Sequence, residues 1–432
     1  MPDPDLPEQI QPDPPQEAAA EPIPLTPVPR QERIAAMDVL RGLAVLGIFL
    51  INMPLYLAPE AGFFDWENNA LWSNSADRLA TLFIYIFAQG KFYTLFSFLF
   101  GLGFGIQMLR AEERHSLNFL TIYRRRLFVL LAIGVLHFTL IWWGDVLHVY
   151  ALLGFLLIHF RKRTNKSLLI WAGCLTFIPL LLFIGGTTYQ HFNDDKPAVE
   201  EKEKKRRERR EEDHKLVAED LRVKSSGSLP DILKLRLQRD ARQLGREVGW
   251  STELFASFLL GLWVSRRRIL QEPQLYRPLL TKLAFVALPL ALAASTADLI
   301  YGYQHPNEPS PLWRTHLGFI REFLARPAMA FGYAAAILLL GIRTWMSPFA
   351  AVGRMALTNY LLHSLVFTTA ANSYGLALYG KIHPANALAL CFAFYAFQLP
   401  FSVWWLRNFN YGPAEWLWRS LTYGRRQPMS RG

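Results

Sequence analysis

Two cysteines in 432 residues, Cys174 and Cys391, both inside apolar runs, leave no disulfide framework and no cysteine-built metal centre. Other metal-ligand spacings are missing too, as are a phosphate-binding P-loop and a GxSxG elbow, so no metal is expected. The GLGFG run at 101–105 lies in an apolar stretch with no strand pattern before it. Its glycines are read as close helix packing, not as a dinucleotide turn. The formal net charge of +11 would suit nucleic acid in a soluble chain. Here the long charged run, EEKEKKRRERREEDHK at 200–215, lacks interleaved aromatics and is nearly balanced, so nucleic acid is not expected as a partner.

Apolar sequence is abundant, and it is bunched. Runs of membrane-spanning length recur at about 38–57, 79–109, 127–143, 145–160, 168–185, 248–265, 279–301, 327–342, 353–372 and 386–406. The pattern predicts an all-α, polytopic transmembrane bundle of about ten spans, with the lipid bilayer as its medium. The second run would make a helix of about 46 Å at 1.5 Å per residue. It is interrupted by Gln89, Gly90 and Lys91, which predicts one long helix, broken or tilted.

Arginine and lysine collect in every second loop: Arg30 and Arg33, Arg110 to Arg126, Arg161 to Lys166, and Arg266 to Arg268. The positive-inside rule then puts both termini in the cytoplasm. Residues 1–32, rich in Pro and acidic residues with no apolar h-region, read as a disordered cytoplasmic tail. Two transmembrane parts, 33–190 and 248–424, flank a charged external insertion at 191–247 that ends in an amphipathic surface helix, and 425–432 form a basic cytoplasmic tail.

Polar residues inside such runs are costly, by roughly 2.5–3.5 kcal/mol for a charge at helix centre, and often mark a site. Placed by depth they form three groups. At the cytoplasmic surface, Asp38 and Arg41 lie three apart on one helix face, joined by Arg124, Arg125, Arg126, Arg354, Glu415 and Arg419. Such a group is either an ion-pair network at helix ends or an anion-binding mouth, since guanidinium forks suit phosphate. At the external surface, LHFTLIWWGDVLHVYALLG sets His137 about two turns before Asp145 and His148 one turn after it, with Asn52 at similar depth. Asp145 fits either a helix cap or the orienting partner of a histidine base. At mid-membrane, GRMALTNYLLHSL puts Asn359 and His363 one turn apart, with Lys91 as a charged neighbour in depth. That group is interhelical glue or a proton relay.

Five segments resemble one family, the YeiB-like bacterial inner-membrane proteins, a domain of unknown function. They are RIAAMDVLRGLAVLGIFLINM, GKFYTLFSFLFGLGFGIQM, RRRLFVLLAIGVLHFTLIWWGDVLHVYALLG, GRMALTNYLLHSL and GPAEWLWRSLTYG. The opening motif, with Asp38, Arg41, Gly42 and Asn52, is also similar to that of transmembrane acyltransferases of the heparan glucosaminide N-acetyltransferase type. This resemblance implies transfer of an acyl group from cytoplasmic acyl-CoA to an external acceptor. Those enzymes carry a histidine shortly after the asparagine, where this chain has AGFFDWENN. The base is then expected from His137, His148 or His363. Two other readings stand beside it: a proton-coupled permease built on Lys91, His363 and the broken second span, and a membrane scaffold whose charged insertion binds partners.

Overall fold

Sequences that are apolar on every side satisfy their backbone groups internally by forming helices, because hydrocarbon offers no hydrogen-bonding partner. The computed structural model describes residues 34–59, 74–116, 118–193, 196–305 and 310–431, and among these no strand forms. The expectations for the tail at 1–32 and for the AGFFDWENN loop fall outside the described residues.

In chain order the helices are α1 (Ala35–Leu57), α2 (Ser75–Phe83), α3 (Lys91–Glu113), α4 (Phe119–Leu140), α5 (Leu147–His159), α6 (Asn165–Asn193), α7 (Lys196–Ser226) and α8 (Leu229–Arg266). They continue with α9 (Arg277–Lys282), α10 (Leu288–Gln304), α11 (Leu312–Ile320), α12 (Arg326–Leu340), α13 (Ser347–Arg354), α14 (Ala356–Ala371), α15 (Pro384–Asn408) and α16 (Pro413–Tyr423). Each of the ten apolar runs falls on helix for most of its length. Among the described residues six continuous stretches are long and apolar enough to cross a membrane by themselves: Ala35–Leu57, Ser75–Glu113, Asn165–Asn193, Pro273–Gly302, Leu312–Leu340 and Pro384–Asn408. In α6 only 17% of the most apolar stretch is buried, and Leu169, Ile170, Leu181 and Leu182 point outward. Such a face belongs against lipid.

The long second span is broken as its sequence predicts. Alpha-helical turns pass into a π-helical segment at Ile84–Ala88, then stop at Gly90, whose φ of 80° is open to glycine without penalty. A Cβ there would also meet the Arg326 side chain. Lys91 restarts the helix and donates from Nζ to the Tyr85 carbonyl freed by the break, at 2.8 Å.

Lipid tails are as apolar as leucine, so helices in a bilayer are held by close backbone approach more than by hydrophobic exclusion. The α3–α8 contact is built that way. A Cβ on Gly101 would lie 2.0 Å from the Phe258 carbonyl oxygen, and one on Gly261 2.1 Å from that of Phe98. The glycines of GLGFG therefore serve packing, as read. Gly42 and Gly353 make the same fit between α1 and α13: their added Cβ atoms would meet the carbonyl oxygens of Phe349 at 2.0 Å and of Asp38 at 1.9 Å.

The charged insertion forms α7, whose polar stretch is exposed, and the first half of α8. Ser228 and Asp231 make a reciprocal capping box that starts α8. From there α8 runs unbroken to Arg266, so the boundary drawn at 247/248 lies within one helix and the expected surface helix is its first half. The last turn of α7 docks on the chain end opposite the arginine-rich one. Lys224 Nζ lies 3.2 Å from Asp220 Oδ2 and 3.1 Å from the Tyr379 hydroxyl, and Ser373 N–H donates to the Lys224 carbonyl at 2.8 Å.

Candidate functional site

The close α1–α13 contact at Gly42 and Gly353 brings Asp38 and Arg41 beside Arg354 at the arginine-rich end. There α1, α3, α4, α14 and the short helix α16 enclose a cavity of about 240 Å³. Five arginines line it, Arg41, Arg110, Arg126, Arg354 and Arg419, against the carboxylates of Asp38 and Glu415. The excess charge marks it for an anion. Arg41 Nη1 stands 3.6 Å from Asp38 Oδ1. Arg126 donates to Gln107 Oε1 at 3.1 Å and lies over the Trp418 ring at 4.2 Å, while Trp418 Nε1 donates to the Arg126 carbonyl at 2.9 Å.

Glu415 is engaged by the backbone of α14. Its carboxylate accepts from the N–H groups of Leu357 and Thr358, at 2.7 and 3.0 Å, capping α14 and tying α16 over the cavity. Burial pushes this carboxyl above its ordinary range, against the pull of the Thr358 hydroxyl bond.

Away from the arginines the cavity walls turn apolar, with Ile48, Leu99, Phe100 and Leu130, and the cavity reaches Val146, Leu147 and Tyr360. Tyr360 joins it to the second group. Gly134 lets the α5 backbone approach α4, since a Cβ would lie 2.4 Å from the His148 nitrogen. This closeness folds the hairpin so that both histidines meet one carboxylate. Asp145 Oδ1 accepts from His137 Nδ1 at 2.8 Å and from the Tyr360 hydroxyl at 3.2 Å. Oδ2 accepts from His148 Nδ1 at 3.0 Å and from the His148 N–H at 3.2 Å, the helix cap that the spacing predicts. All four residues are buried.

An ionised carboxylate only accepts, so both Nδ1 atoms carry hydrogen, and in the neutral His137 imidazole Nε2 presents a lone pair. At 2.6 Å from it stands the Ser364 hydroxyl, which is also within reach of the Leu361 carbonyl at 3.1 Å.

Asn52 approaches this group from α1. Its Oδ1 accepts from the Tyr93 hydroxyl at 2.5 Å, and its amide faces the Tyr56 hydroxyl. Trp142 Nε1 is buried without a partner, on a ring whose centroid lies 4.5 Å from that of Tyr56. Buried unpaired polar atoms are uncommon and each calls for an explanation.

The remaining expected residues fall elsewhere. Arg124 and Arg125 are exposed and do not line the cavity; of that triplet only Arg126 does. His363 Nε2 bonds Gln398 Oε1 at 2.7 Å and its ring stacks on Phe49 with centroids 3.7 Å apart. Gln398 in turn donates to Asn359 Oδ1 at 2.9 Å, so Asn359 and His363 join α14 to α15. Lys91 belongs to a different neighbourhood, with Tyr85, Arg321 and Arg326, and does not meet His363.

Two features escape sequence reading. Ser364 looks like helix glue until α4 brings His137 to it across 227 positions. A charged cluster also joins the π-helical segment Ile84–Ala88, α10 and the 312–340 stretch: Arg321 pairs with Asp298, Arg314 Nε reaches Asp298 at 3.2 Å, and Arg321 Nη2 donates to the Tyr85 hydroxyl at 3.2 Å. Its members are scattered singly through apolar runs, and no spacing announces them. Among the described residues no His, Cys, Asp and Glu cluster suits a metal ion.

Helices of membrane-spanning length with lipid-facing flanks and a polar interior define an integral membrane protein. Comparison with known proteins then places the chain. It belongs to the YeiB-like family, whose model, "Protein of unknown function (DUF418)", matches residues 264–425. "Uncharacterized protein YxaH" of Bacillus subtilis (strain 168) is 36% identical over 429 residues, covering 94% of this chain and 98% of that one. "Uncharacterized protein YeiB" of Escherichia coli (strain K12) is 29% identical over 408 residues, covering 90% and 96%. No solved structure matches.

Proposed function

We propose that this protein is a membrane acyltransferase that takes acyl-CoA at the arginine-rich end and passes the acyl group toward the His137–Asp145–His148 group. One observation carries the reading. A single cavity runs from five arginines to Tyr360, and the Tyr360 hydroxyl is bonded to Asp145. Guanidinium groups at the mouth suit the phosphates of a nucleotide thioester, and the apolar inner wall suits its acyl end. Asp145 fixes the imidazole so that His137 Nε2 can take a proton. By the charge of its loops the arginine-rich end faces the cytoplasm of a bacterial inner membrane, where acyl-CoA is found.

Calorimetry on the purified protein checks this. Acetyl-CoA should bind, and replacing both Arg41 and Arg126 with Ala should weaken binding at least about tenfold, the worth of one charge-assisted hydrogen bond. No heat of binding and no release of free CoA thiol would sink the reading. Lys91 and His363, on which the permease alternative was built, lie in separate clusters; solute uptake by proteoliposomes that Lys91→Ala abolishes would favour that alternative.

A further inference from the structure

We propose that Ser364 is a nucleophile and that the acyl group passes through a covalent ester on its Oγ. This rests on the acyl-transfer reading and deepens it, replacing direct transfer by two displacements at one serine. The geometry is that of a Ser–His–Asp relay. Ser364 Oγ lies 2.6 Å from His137 Nε2, and His137 Nδ1 lies 2.8 Å from Asp145 Oδ1. Such a constellation is recognised by its distances and roles, not by chain order or fold. Asp145 accepts from Nδ1, so the neutral His137 imidazole is the tautomer whose Nε2 lone pair faces the serine hydroxyl.

Access follows from helix spacing. Tyr360, which lines the inner end of the cavity, is four residues before Ser364, so the two share one face of α14. Ser364 stands eight residues into α14, about 12 Å along its axis at 1.5 Å per residue, near the middle of the helix. Ser364 is itself buried and lies one helical turn beyond the cavity lining, so the acyl group must pass the Tyr360 ring to reach its Oγ. Trp142 Nε1 is a buried donor with no acceptor, and α1, which carries Asn52, packs directly on α14. A donor held ready in this way suits the oxyanion of a tetrahedral intermediate.

The step balances without any further reagent. Ser364 Oγ attacks the thioester carbonyl carbon while its proton passes to His137 Nε2. The carbon–sulfur bond then breaks, and the CoA sulfur leaves with that proton as the free thiol. In the second half an acceptor hydroxyl or amine gives its proton to His137 Nε2 and attacks the serine ester. The ester bond breaks and Ser364 Oγ recovers its hydrogen from His137.

The test uses the full-length protein in detergent, incubated with acetyl-CoA and no acceptor, quenched in acid and digested for mass spectrometry. An acetyl ester labile to hydroxylamine is expected on the peptide holding Ser364, and it should be missing from Ser364→Ala and His137→Ala. Thiol release by Ser364→Ala should fall by about 10³-fold or more while acetyl-CoA binding is retained. Ser364→Cys, close in size, should carry the acetyl group as a thioester, which guards against a folding defect in the alanine variant. Acetyl transfer by Ser364→Ala at the wild-type rate would overturn the serine nucleophile and leave acyl transfer standing. Should acetyl-CoA neither bind nor be cleaved, a fluorophosphonate probe separates the two ideas. Labelling at Ser364 that requires His137 would keep the nucleophile and discard the donor, and no labelling would discard both.

Discussion

Asp145 receives four hydrogen bonds on two oxygens, and every one of its donors matters to the candidate chemistry. Asp145→Asn keeps the volume and turns one acceptor into a donor facing donors. Thermal unfolding in detergent should show a loss of about 3 kcal/mol, as expected when one partner of a buried polar network is removed. Thiol release from acetyl-CoA should drop about 10⁴-fold, the size seen when a triad aspartate is amidated in a serine protease. Tyr360→Phe removes one of the four bonds and keeps the wall between cavity and serine. Its cost in stability should be nearer 1 kcal/mol, and acetyl-CoA binding measured by calorimetry should be unchanged. The sequence announced Asp145, His137 and His148 because they lie within twelve residues of each other. It hid Ser364 because hydroxyls bonded to their own helix are common in membranes and look alike.

At the scale of elements, glycine placement decides which helices touch. Gly353→Ala drives a Cβ into the Asp38 carbonyl, and since the contact is backbone on both sides no rotamer change relieves it. The variant should lose several degrees in unfolding temperature and should open the cavity wall, weakening acetyl-CoA binding together with stability. Gly185→Ala, with open space around its position, should do neither and serves as the control. The start of α8 offers a pH test. The Ser228 hydroxyl bond lowers the Asp231 carboxyl below its ordinary value, so its contribution is present above that value and is lost as pH falls through the lowered one. Amide exchange in the first turn of α8 should speed up on that acid side in the wild type, and at all pH values in Ser228→Ala.

The helices of the apolar runs were legible, because such runs have one stable form in a bilayer, whereas the helices at Leu312–Ile320 and Pro413–Tyr423 were not. The break at Gly90 was legible too, since polar residues interrupt the run there. Continuity of α8 was not. A polar amphipathic half followed by an apolar half has two helical periods in series, and nothing in the pattern says whether a turn separates them.

At the scale of the whole molecule, basic loops fall at one end and the α7–α8 hairpin at the other. Positive-inside sorting then makes a definite prediction about reporters. A fluorescent protein fused after residue 431 should fluoresce, and alkaline phosphatase at the same point should be inactive. The reverse result would invert the proposed orientation and remove the arginine mouth from the compartment that holds acyl-CoA. The arginine end was readable because charge segregates along a membrane chain. The cluster of Asp298, Arg314 and Arg321 was not, because its members come from separate spans and meet only after packing.

Helix α8 gives the molecule a mechanical property. Its 38 residues make a rod of about 57 Å at 1.5 Å per residue. Near one end Arg236 donates to the Leu140 carbonyl where α4 stops, and at the other Arg266 donates to the carbonyls of Arg161 and Arg163. A stiff strut pinned near both faces turns a tilt at one surface into a displacement at the other. Whatever docks on the exposed α7–α8 elbow thereby holds a lever whose far arm rests against the arginine-rich end.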